Sequence, residues 1–299
     1  MTRFRKRHEV VRQVNFLTQF APNGPNPTAL YGLPEDVRFC TRCVISNQRP
    51  NSSVEYQHRA DSRKKTIQLD DSGVCDACRV AEEKANRIVW NDREEQLREL
   101  CDRHRKNGKG YDCLVPGSGG KDSFFAAHIL KYKYRMNPLT VTWAPHIYTD
   151  WGWRNFQAWI NAGFDNFLMT PNAQIHRLIT RLAVENLFHP FQPFMFGQKA
   201  LAPKMASLFD IPLVFYGENE AEYGNPIEDT SSSQRDREYF SGDDLSEISL
   251  GGVSMQELQT DFGVNAVDLD PYLPINPVEI EEKSIEVHYL GYYLPWHPQ

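Results

Sequence analysis

From residue 111 onward, short apolar runs alternate with longer stretches in which apolar positions recur every three or four residues. Continuous apolar runs read as buried strands, and the 3.6-residue period reads as amphipathic helix. Strands are expected at 111–117, 139–143, 164–169 and 211–217, with helices at 123–134, 153–162, 172–187 and 199–209. Gly163 follows the second helix, where a left-handed residue would end it. Repeated strand–helix order implies a parallel sheet covered by helices on both faces. Ligands of such sheets gather beyond the carboxyl ends of the strands. Upstream, Leu97, Leu100, Cys101 and His104 share one helix face behind an expected capping pair, Asn91 and Glu94. Cys101 is thereby assigned to packing, and His104 to no role beyond its helix face. Cys113, inside the first strand, reads as a small buried hydrophobe.

The pattern divides the chain into four stretches. Residues 1–35 lack periodicity and are broken by Pro22, Pro25 and Pro27, so they are expected to be a basic, partly flexible extension. Residues 36–90 form a cysteine module with a polar insert at 51–71, and residues 91–225 form the main α/β domain. Residues 226–299 are an acidic C-terminal region that completes the domain or docks a partner. Within it, 226–245 is polar and reads as a mobile loop, whereas the aromatic cluster Tyr289, Tyr292, Tyr293 and Trp296 needs a surface to pack against.

Composition adds bounds to this picture. At 299 residues, 40% hydrophobic and 24% charged, the chain suits one α/β core plus a small module. No apolar run approaches the roughly 18–20 residues that span a bilayer. The basic start, MTRFRKRHEVVRQV, lacks the apolar stretch of a secretory signal, so a cytoplasmic protein is expected. From Glu218 onward, 18 Asp and Glu stand against 3 Lys and Arg, a local balance of −15 that leaves +9 on the preceding residues out of −6 overall. A basic body suits phosphate ligands, and the acidic tail argues against a uniform nucleic-acid surface.

Four of the six cysteines form two knuckles, Cys40-x2-Cys43 and Cys75-x2-Cys78. Four thiolates at that spacing can close a tetrahedron around Zn²⁺. Disulfides and an iron–sulfur cluster are the alternatives, and a cytosolic setting disfavours disulfides. With every ligand position filled by sulfur, such a zinc is structural and holds no catalytic water.

The candidate chemistry lies where the first strand ends, in Ser118-Gly119-Gly120-Lys121-Asp122-Ser123. Adjacent glycines let a backbone approach a polyanion, and N–H groups opening a helix make a nest for phosphate. Lys121 adds positive charge, Asp122 can carry Mg²⁺, and Ser118 and Ser123 add hydroxyls. The loop is not a Walker A motif, because Asp122 follows the lysine where Ser or Thr is required. It is not a dinucleotide fingerprint either, because the third glycine is missing. Two further polar clusters follow the other strands: Tyr148-Thr149-Asp150, and Glu218-Asn219-Glu220-Ala221-Glu222-Tyr223-Gly224.

SGGKDS resembles the SGGxDS loop of the PP-loop ATP pyrophosphatases. Together with CTRCVISNQRP, GVCDACR, NPLTVTWAPHIYTDWGWRN, PFQPFMFGQ, IPLVFYGENEAEYGNP and YLGYYLPW, it resembles the N-acetyl sugar amidotransferases of that superfamily over residues 38–296. The resemblance implies a parallel-sheet PP-loop domain behind a zinc-knuckle module. The implied reaction is adenylation of an acetamido oxygen by ATP, then replacement by ammonia, giving an acetamidino sugar, AMP and pyrophosphate in bacterial surface glycan synthesis. It also implies roles. Ser118, Gly119, Gly120, Lys121 and Ser123 would steady the departing pyrophosphate, and Asp122 would hold Mg²⁺. Glu218, Asn219 and Glu222 would face the sugar and ammonia, one glutamate taking a proton from the latter.

No GxCxG elbow or other activated cysteine is present to release ammonia from glutamine. The resemblance therefore implies a separate glutaminase subunit, with a cyclase-like barrel protein, as partner. The competing readings are a tRNA-modifying PP-loop enzyme, of thiolase or lysidine-synthetase type, and a non-enzymatic zinc-ribbon protein. The first is disfavoured by the acidic tail and by the lack of a CxxC beside the loop. The second leaves SGGKDS and GENEAEYG unexplained.

Overall fold

The apolar runs become the strands β1 (Cys113–Pro116), β2 (Pro138–Trp143), β3 (Asp165–Met169) and β4 (Leu213–Tyr216). They are buried on both faces in β1, β2 and β4 and largely exposed in the edge strand β3. Two-residue strands β5 (Ser249–Leu250) and β6 (Val253–Ser254) pair as a separate antiparallel hairpin, and β7 (Glu286–Tyr289) returns to the main sheet. The order is β3-β2-β1-β4-β7, with all neighbours parallel. The computed structural model describes residues 33–34, 36–52, 54–59, 61–63, 65–217 and 232–295. This α/β architecture, with a four-cysteine cluster ahead of it, is the one expected from the sequence.

The chain builds outward from β1 in one direction as far as β3, then crosses to β4 on the other side. That reversal leaves a crevice between the carboxyl ends of β1 and β4, the usual ligand position in open α/β sheets. Leu114 and Val214 point to one face, and Cys113, Val115, Leu213 and Phe215 to the other. All six are fully buried, and burial of each large apolar side chain contributes roughly 1.5–3 kcal/mol.

Helix α1 (Asp76–Asn86) packs in the cysteine module, and the helices covering the sheet faces are α2 (Trp90–His104), α3 (Lys121–Tyr132), α4 (Asp150–Asn161), α5 (Ala173–Leu187) and α6 (Gln192–Leu208). Shorter helices α7 (Met255–Thr260), α8 (Ala266–Leu269), α9 (Pro277–Glu282) and α10 (Leu290–Tyr293) follow. Leu97, Leu100 and Cys101 of α2 are buried with Cys113, Tyr293 and Leu294. The aromatic tail thus finds its packing surface on α2, and Arg93 stacks on the Tyr292 ring at 3.6 Å.

Several boundaries differ from expectation, each for a physical reason. Helix α2 starts at Trp90 with Val89 at the cap, so Asn91 lies inside the first turn and cannot cap it. Glu94 instead pairs with Lys133 at 2.9 Å. Helix α3 starts at Lys121, two residues early, because Gly120 takes the extended cap conformation at φ −65°, ψ 158°. Helix α4 starts at Asp150, capped by the Thr149 hydroxyl, which accepts from the Gly152 N–H at 3.0 Å. Helix α6 starts at Gln192, with Pro193 in the first turn, where its missing N–H costs nothing.

Of the loop expected at 226–245, the described part, 232–245, is irregular apart from a 3-10 turn at Arg237–Tyr239 and is anchored at two points. Arg235 N–H donates to the Val287 carbonyl at 2.8 Å, which docks the segment on β7. The buried Tyr56 hydroxyl donates to the Ser241 carbonyl at 2.6 Å. Tyr56 belongs to the insert between the cysteine knuckles, so that insert clamps the segment against the sheet.

Candidate functional site

Beyond the carboxyl ends of four adjacent strands lies a cavity of about 390 Å³. Pro116 of β1, Val141 and Trp143 of β2, Tyr216 of β4 and Tyr289 of β7 form its floor. Gly117, Ser118, Gly120, Asp122 and Ser123 form one wall. Met195, Gln198, Lys199 and Leu201 of α6 line another side, joined by Arg235 and Ser52.

The glycines divide by role. Gly119 has φ +83°, and a Cβ there would strike the Asn155 carbonyl of α4. Its bareness therefore serves a turn packed on a helix, and it does not line the cavity. Gly120 lines the cavity, and a Cβ on it would meet nothing within 4 Å. Gly217, at the end of β4, lies so close to the loop that a Cβ would stand 2.5 Å from the Asp122 carbonyl oxygen. The end of β4 and the first turn of α3 thus meet backbone to backbone at the switch point.

Helix α3 opens directly from the loop. The Ser123 hydroxyl donates to the Gly120 carbonyl at 3.1 Å, and the Phe124 N–H donates to the same oxygen at 2.9 Å. The N–H groups of the first turn have no partner within the helix and carry its positive end. Among the six loop residues, Ser118, Gly120, Asp122 and Ser123 face the cavity; Lys121 is exposed at the helix start and is not part of the wall. Among the described residues, Asp122 is the one carboxylate that lines the cavity, and carboxylate oxygens suit a hard cation.

Glu218, Asn219 and Glu222 lie outside the described residues, as do Tyr223 and Gly224. Asp150 is exposed in the first turn of α4 and does not line the cavity. Sequence reasoning missed Lys199, Arg235, Trp143, Tyr216 and Ser52 as cavity residues. Trp143 and Gln198 stood within motifs singled out above. Arg235 lay in the polar stretch read as a loop, where nothing local marks it.

Two polar clusters outside the cavity lining are built on the buried residues Glu55 and His176. Glu55 lies 3.6 Å from both His58 and His189. Burial opposes its ionisation, yet the neighbouring His189 and His58 imidazoles and the Lys199 charge hold its carboxyl well below the ordinary range. In the second cluster, His176 joins His146 at 2.7 Å and the Tyr272 hydroxyl at 2.9 Å. Burial, then the neighbouring His146, brings the His176 imidazole down to about 4.

The four knuckle cysteines converge. Their sulfurs all lie within 4.8 Å of one another, with Cys40–Cys78 at 3.9 Å and Cys43–Cys75 at 3.7 Å. A metal–sulfur tetrahedron with bonds of about 2.3 Å has edges of about 3.8 Å. A disulfide would need about 2.05 Å. The cluster therefore fits a tetrahedral metal and not a pair of disulfides. Burial works against the Cys40 thiolate, but N–H groups of Arg42 and Cys75 outweigh it and bring Cys40 down to about 6. Burial pushes the Cys75 and Cys78 thiols up. Cys101 and Cys113 are buried far from this cluster's chemistry; desolvation pushes Cys101 up to about 12 and Cys113 well above its ordinary value. Among the described residues, no helix is long and apolar enough to cross a membrane.

No protein-family model matches the chain. Among curated proteins, an uncharacterized protein of Methanocaldococcus jannaschii is 41% identical over 46 residues, which is 15% of this chain and 17% of that protein. Among solved structures, an NH3-dependent NAD synthetase from Campylobacter jejuni, in complex with the nitrate ion, aligns at a TM-score of 0.35 and 15% identity. That alignment covers 46% of this chain and 59% of the synthetase.

Proposed function

We propose that the protein is an ATP-dependent carbon–nitrogen ligase of the PP-loop type. In this reading it adenylates the acetamido oxygen of an N-acetylated sugar and exchanges it for ammonia, leaving an acetamidino sugar, AMP and pyrophosphate. The supporting observation is the SGGKDS loop at the β1–β4 switch point, opening a helix N-terminus onto a cavity of about 390 Å³.

An amide carbon resists ammonia because its nitrogen donates into the carbonyl. Joining AMP to the amide oxygen converts that oxygen into a leaving group. The chain's part is to hold the triphosphate so that the α-phosphorus faces the amide oxygen. Gly120 leaves room for phosphate oxygens, the first-turn N–H groups of α3 donate to them, and the Ser118 and Ser123 hydroxyls lie on the same wall. Gly119 supports the turn, and Lys121, exposed at the start of α3, is proposed to meet the pyrophosphate. Asp122 would hold Mg²⁺, which offsets phosphate charge when bound. Glu218, Asn219 and Glu222 are proposed to receive the sugar and ammonia. The four cysteines would hold a structural Zn²⁺, and ammonia would come from a separate glutaminase with its barrel-protein partner. The reaction is placed in the cytoplasm.

The test is pyrophosphate release with ATP, Mg²⁺ and ammonia, with N-acetylated sugars or bulk tRNA as acceptor. Release that depends on an N-acetyl sugar, with AMP as the nucleotide product, is expected. Release driven by tRNA alone would move the chain to the tRNA-modifying class, and ADP as product would remove adenylation altogether. Lys121→Ala is expected to cut pyrophosphate release at least 100-fold, an effect typical of losing one charge-stabilising donor, without changing the melting temperature.

A further inference from the structure

One residue of the cavity lining comes from outside the α/β domain. Ser52 belongs to the insert between the two cysteine knuckles, yet it lines the cavity together with the SGGKDS loop and α6. At its base the insert is carried by two extended stretches paired antiparallel. The Asn51 N–H donates to the Lys65 carbonyl at 2.9 Å, the Ile67 N–H donates to the Arg49 carbonyl at 3.0 Å, and Pro50 pairs with Thr66 between them. Ile67 is 1% exposed and packs with Cys40, Val74 and Cys75. The ladder that carries Ser52 is therefore seated on the same small core that gathers the four sulfurs.

The far side of the insert grips the α/β domain. The 3-10 turn Glu55–Gln57 brings Tyr56 into the main core, with its hydroxyl against the Glu238 and Ser241 carbonyls, 2.6 Å from the latter. The Glu55 carbonyl accepts from the buried Gln192 side chain at 3.1 Å, and the oxygen of that side chain accepts from the Gly251 N–H at 3.0 Å. Gln192 opens α6, which supplies Met195 and Gln198 to the lining, and the segment held by Tyr56 supplies Arg235. One insert thus fixes three parts of the wall: its own Ser52, the start of α6 and the 235–241 segment. Its seat is weak by itself. Cys40, Ile67, Val74 and Cys75 are the whole buried core of the module, and a core that small keeps its shape through a bound metal. The sheet has two larger cores of its own, so the module can open locally while the sheet stays folded.

We propose that the insert is a working wall of the ligand cavity, through which metal occupancy of Cys40, Cys43, Cys75 and Cys78 sets the cavity's affinity for its ligand. Tyr56 is the positioning residue that passes the state of the module to the 235–241 segment. The identity of the ligand as Mg-ATP rests on the ligase reading; the coupling does not. Coupling between two sites is reciprocal, so saturating ligand raises metal affinity by the same factor as metal raises ligand affinity.

The experiment compares the full chain loaded with zinc and stripped of it, the chelator being removed before titration, well below the melting temperature. Calorimetry reads Mg-ATP affinity, circular dichroism the secondary structure, and amide hydrogen exchange the local opening. Removing zinc is expected to weaken Mg-ATP about tenfold or more while the secondary structure persists. Exchange should quicken at the Asn51 and Ile67 amides and across 235–241, and stay unchanged in β1 and β2. Saturating Mg-ATP should tighten zinc, read by competition with a chelator of known affinity, by the same factor. Tyr56→Phe, which removes only the hydroxyl, should weaken Mg-ATP about three- to tenfold with zinc stoichiometry unchanged. Equal Mg-ATP affinity in loaded and stripped chains, both folded, overturns the proposal, as does faster exchange that never reaches 235–241. Should the stripped chain unfold outright, zinc-loaded Tyr56→Phe decides: weaker Mg-ATP binding with faster exchange across 235–241 supports the coupling, and wild-type affinity overturns it. A loaded wild type that binds no Mg-ATP refutes the ligase reading alone, and the exchange pattern, which needs no ligand, then decides the coupling.

Discussion

Replacing Gly217 by alanine tests whether the end of β4 and the start of α3 meet as described. In a loop whose backbone tolerates it, Gly→Ala usually stabilises by about 0.4–1 kcal/mol, by restricting the unfolded chain. Here the new methyl would stand 2.5 Å from the Asp122 carbonyl oxygen, 2.7 Å from its carbon and 3.1 Å from its Cβ. The first two are backbone atoms in the first turn of α3, so no side-chain rotation relieves the overlap. Restoring ordinary contact needs a separation of about 1 Å between β4 and the start of α3. Overpacking of that kind costs typically 1–3 kcal/mol. At about 2 °C per kcal/mol for a chain of this size, the melting temperature should fall by roughly 2–6 °C. Because α3 carries the loop, Mg-ATP affinity should fall with it. Gly120→Ala is the matched control, since its methyl would meet nothing within 4 Å. Its stability should stay within about 1 kcal/mol of wild type, the cost of a weaker helix cap, while a methyl in the ligand's space lowers ATP affinity. Differential scanning fluorimetry and calorimetry on both variants decide. A Gly217→Ala protein as stable as wild type, or less affected than Gly120→Ala, would refute the close approach of β4 to the start of α3.

Other consequences can be measured directly. Chelation or Cys75→Ser should release one equivalent of zinc per chain and lower the melting temperature by several degrees; stability indifferent to both would rule out a structural metal. The His176 imidazole sits near 4 when folded, against an ordinary 6.5. The unfolded chain therefore binds more protons as pH drops from 6.5 to 4, and stability falls through that window by about 3 kcal/mol. His176→Gln should flatten this part of the stability–pH curve, and an unchanged slope would sink the assignment. Gly197→Ala, normally favourable inside a helix, places its methyl within the buried Trp143 ring. It should destabilise by about 1–3 kcal/mol, and do so no longer when Trp143 is replaced by leucine.

Local signals carried the central part of the molecule. The strands β1 to β4 and helices α4 and α5 follow their apolar runs, because Leu114, Val141 and Leu178 are buried where their spacing puts them. The phosphate-type loop was legible because its chemistry is contiguous in the chain. What the sequence hid is what depends on distant partners. Gly197 sits mid-helix because Trp143, more than fifty residues earlier, occupies the space of a side chain. Helix α6 thus runs through residues that local propensity treats as a break. Strand β7 has only four residues, and its place is set by pairing with β4. Arg235 becomes a cavity residue only through Tyr216, Tyr239 and Val287. The cysteine tetrahedron was readable because its two halves each announce themselves by spacing.

The late arrival of β7 has a consequence for how this chain is made. Strand β4 ends at Tyr216, and its outer neighbour begins at Glu286, so synthesis must add about seventy residues before that border is sealed. At about 5–20 residues per second the interval is roughly 4–14 seconds. Throughout it, a nascent sheet with fully apolar Leu213, Val214 and Phe215 offers unpaired backbone to any passing strand. The acidic makeup of the intervening stretch, with like charges repelling between neighbouring chains, is well suited to keep growing polypeptides apart until the sheet is sealed.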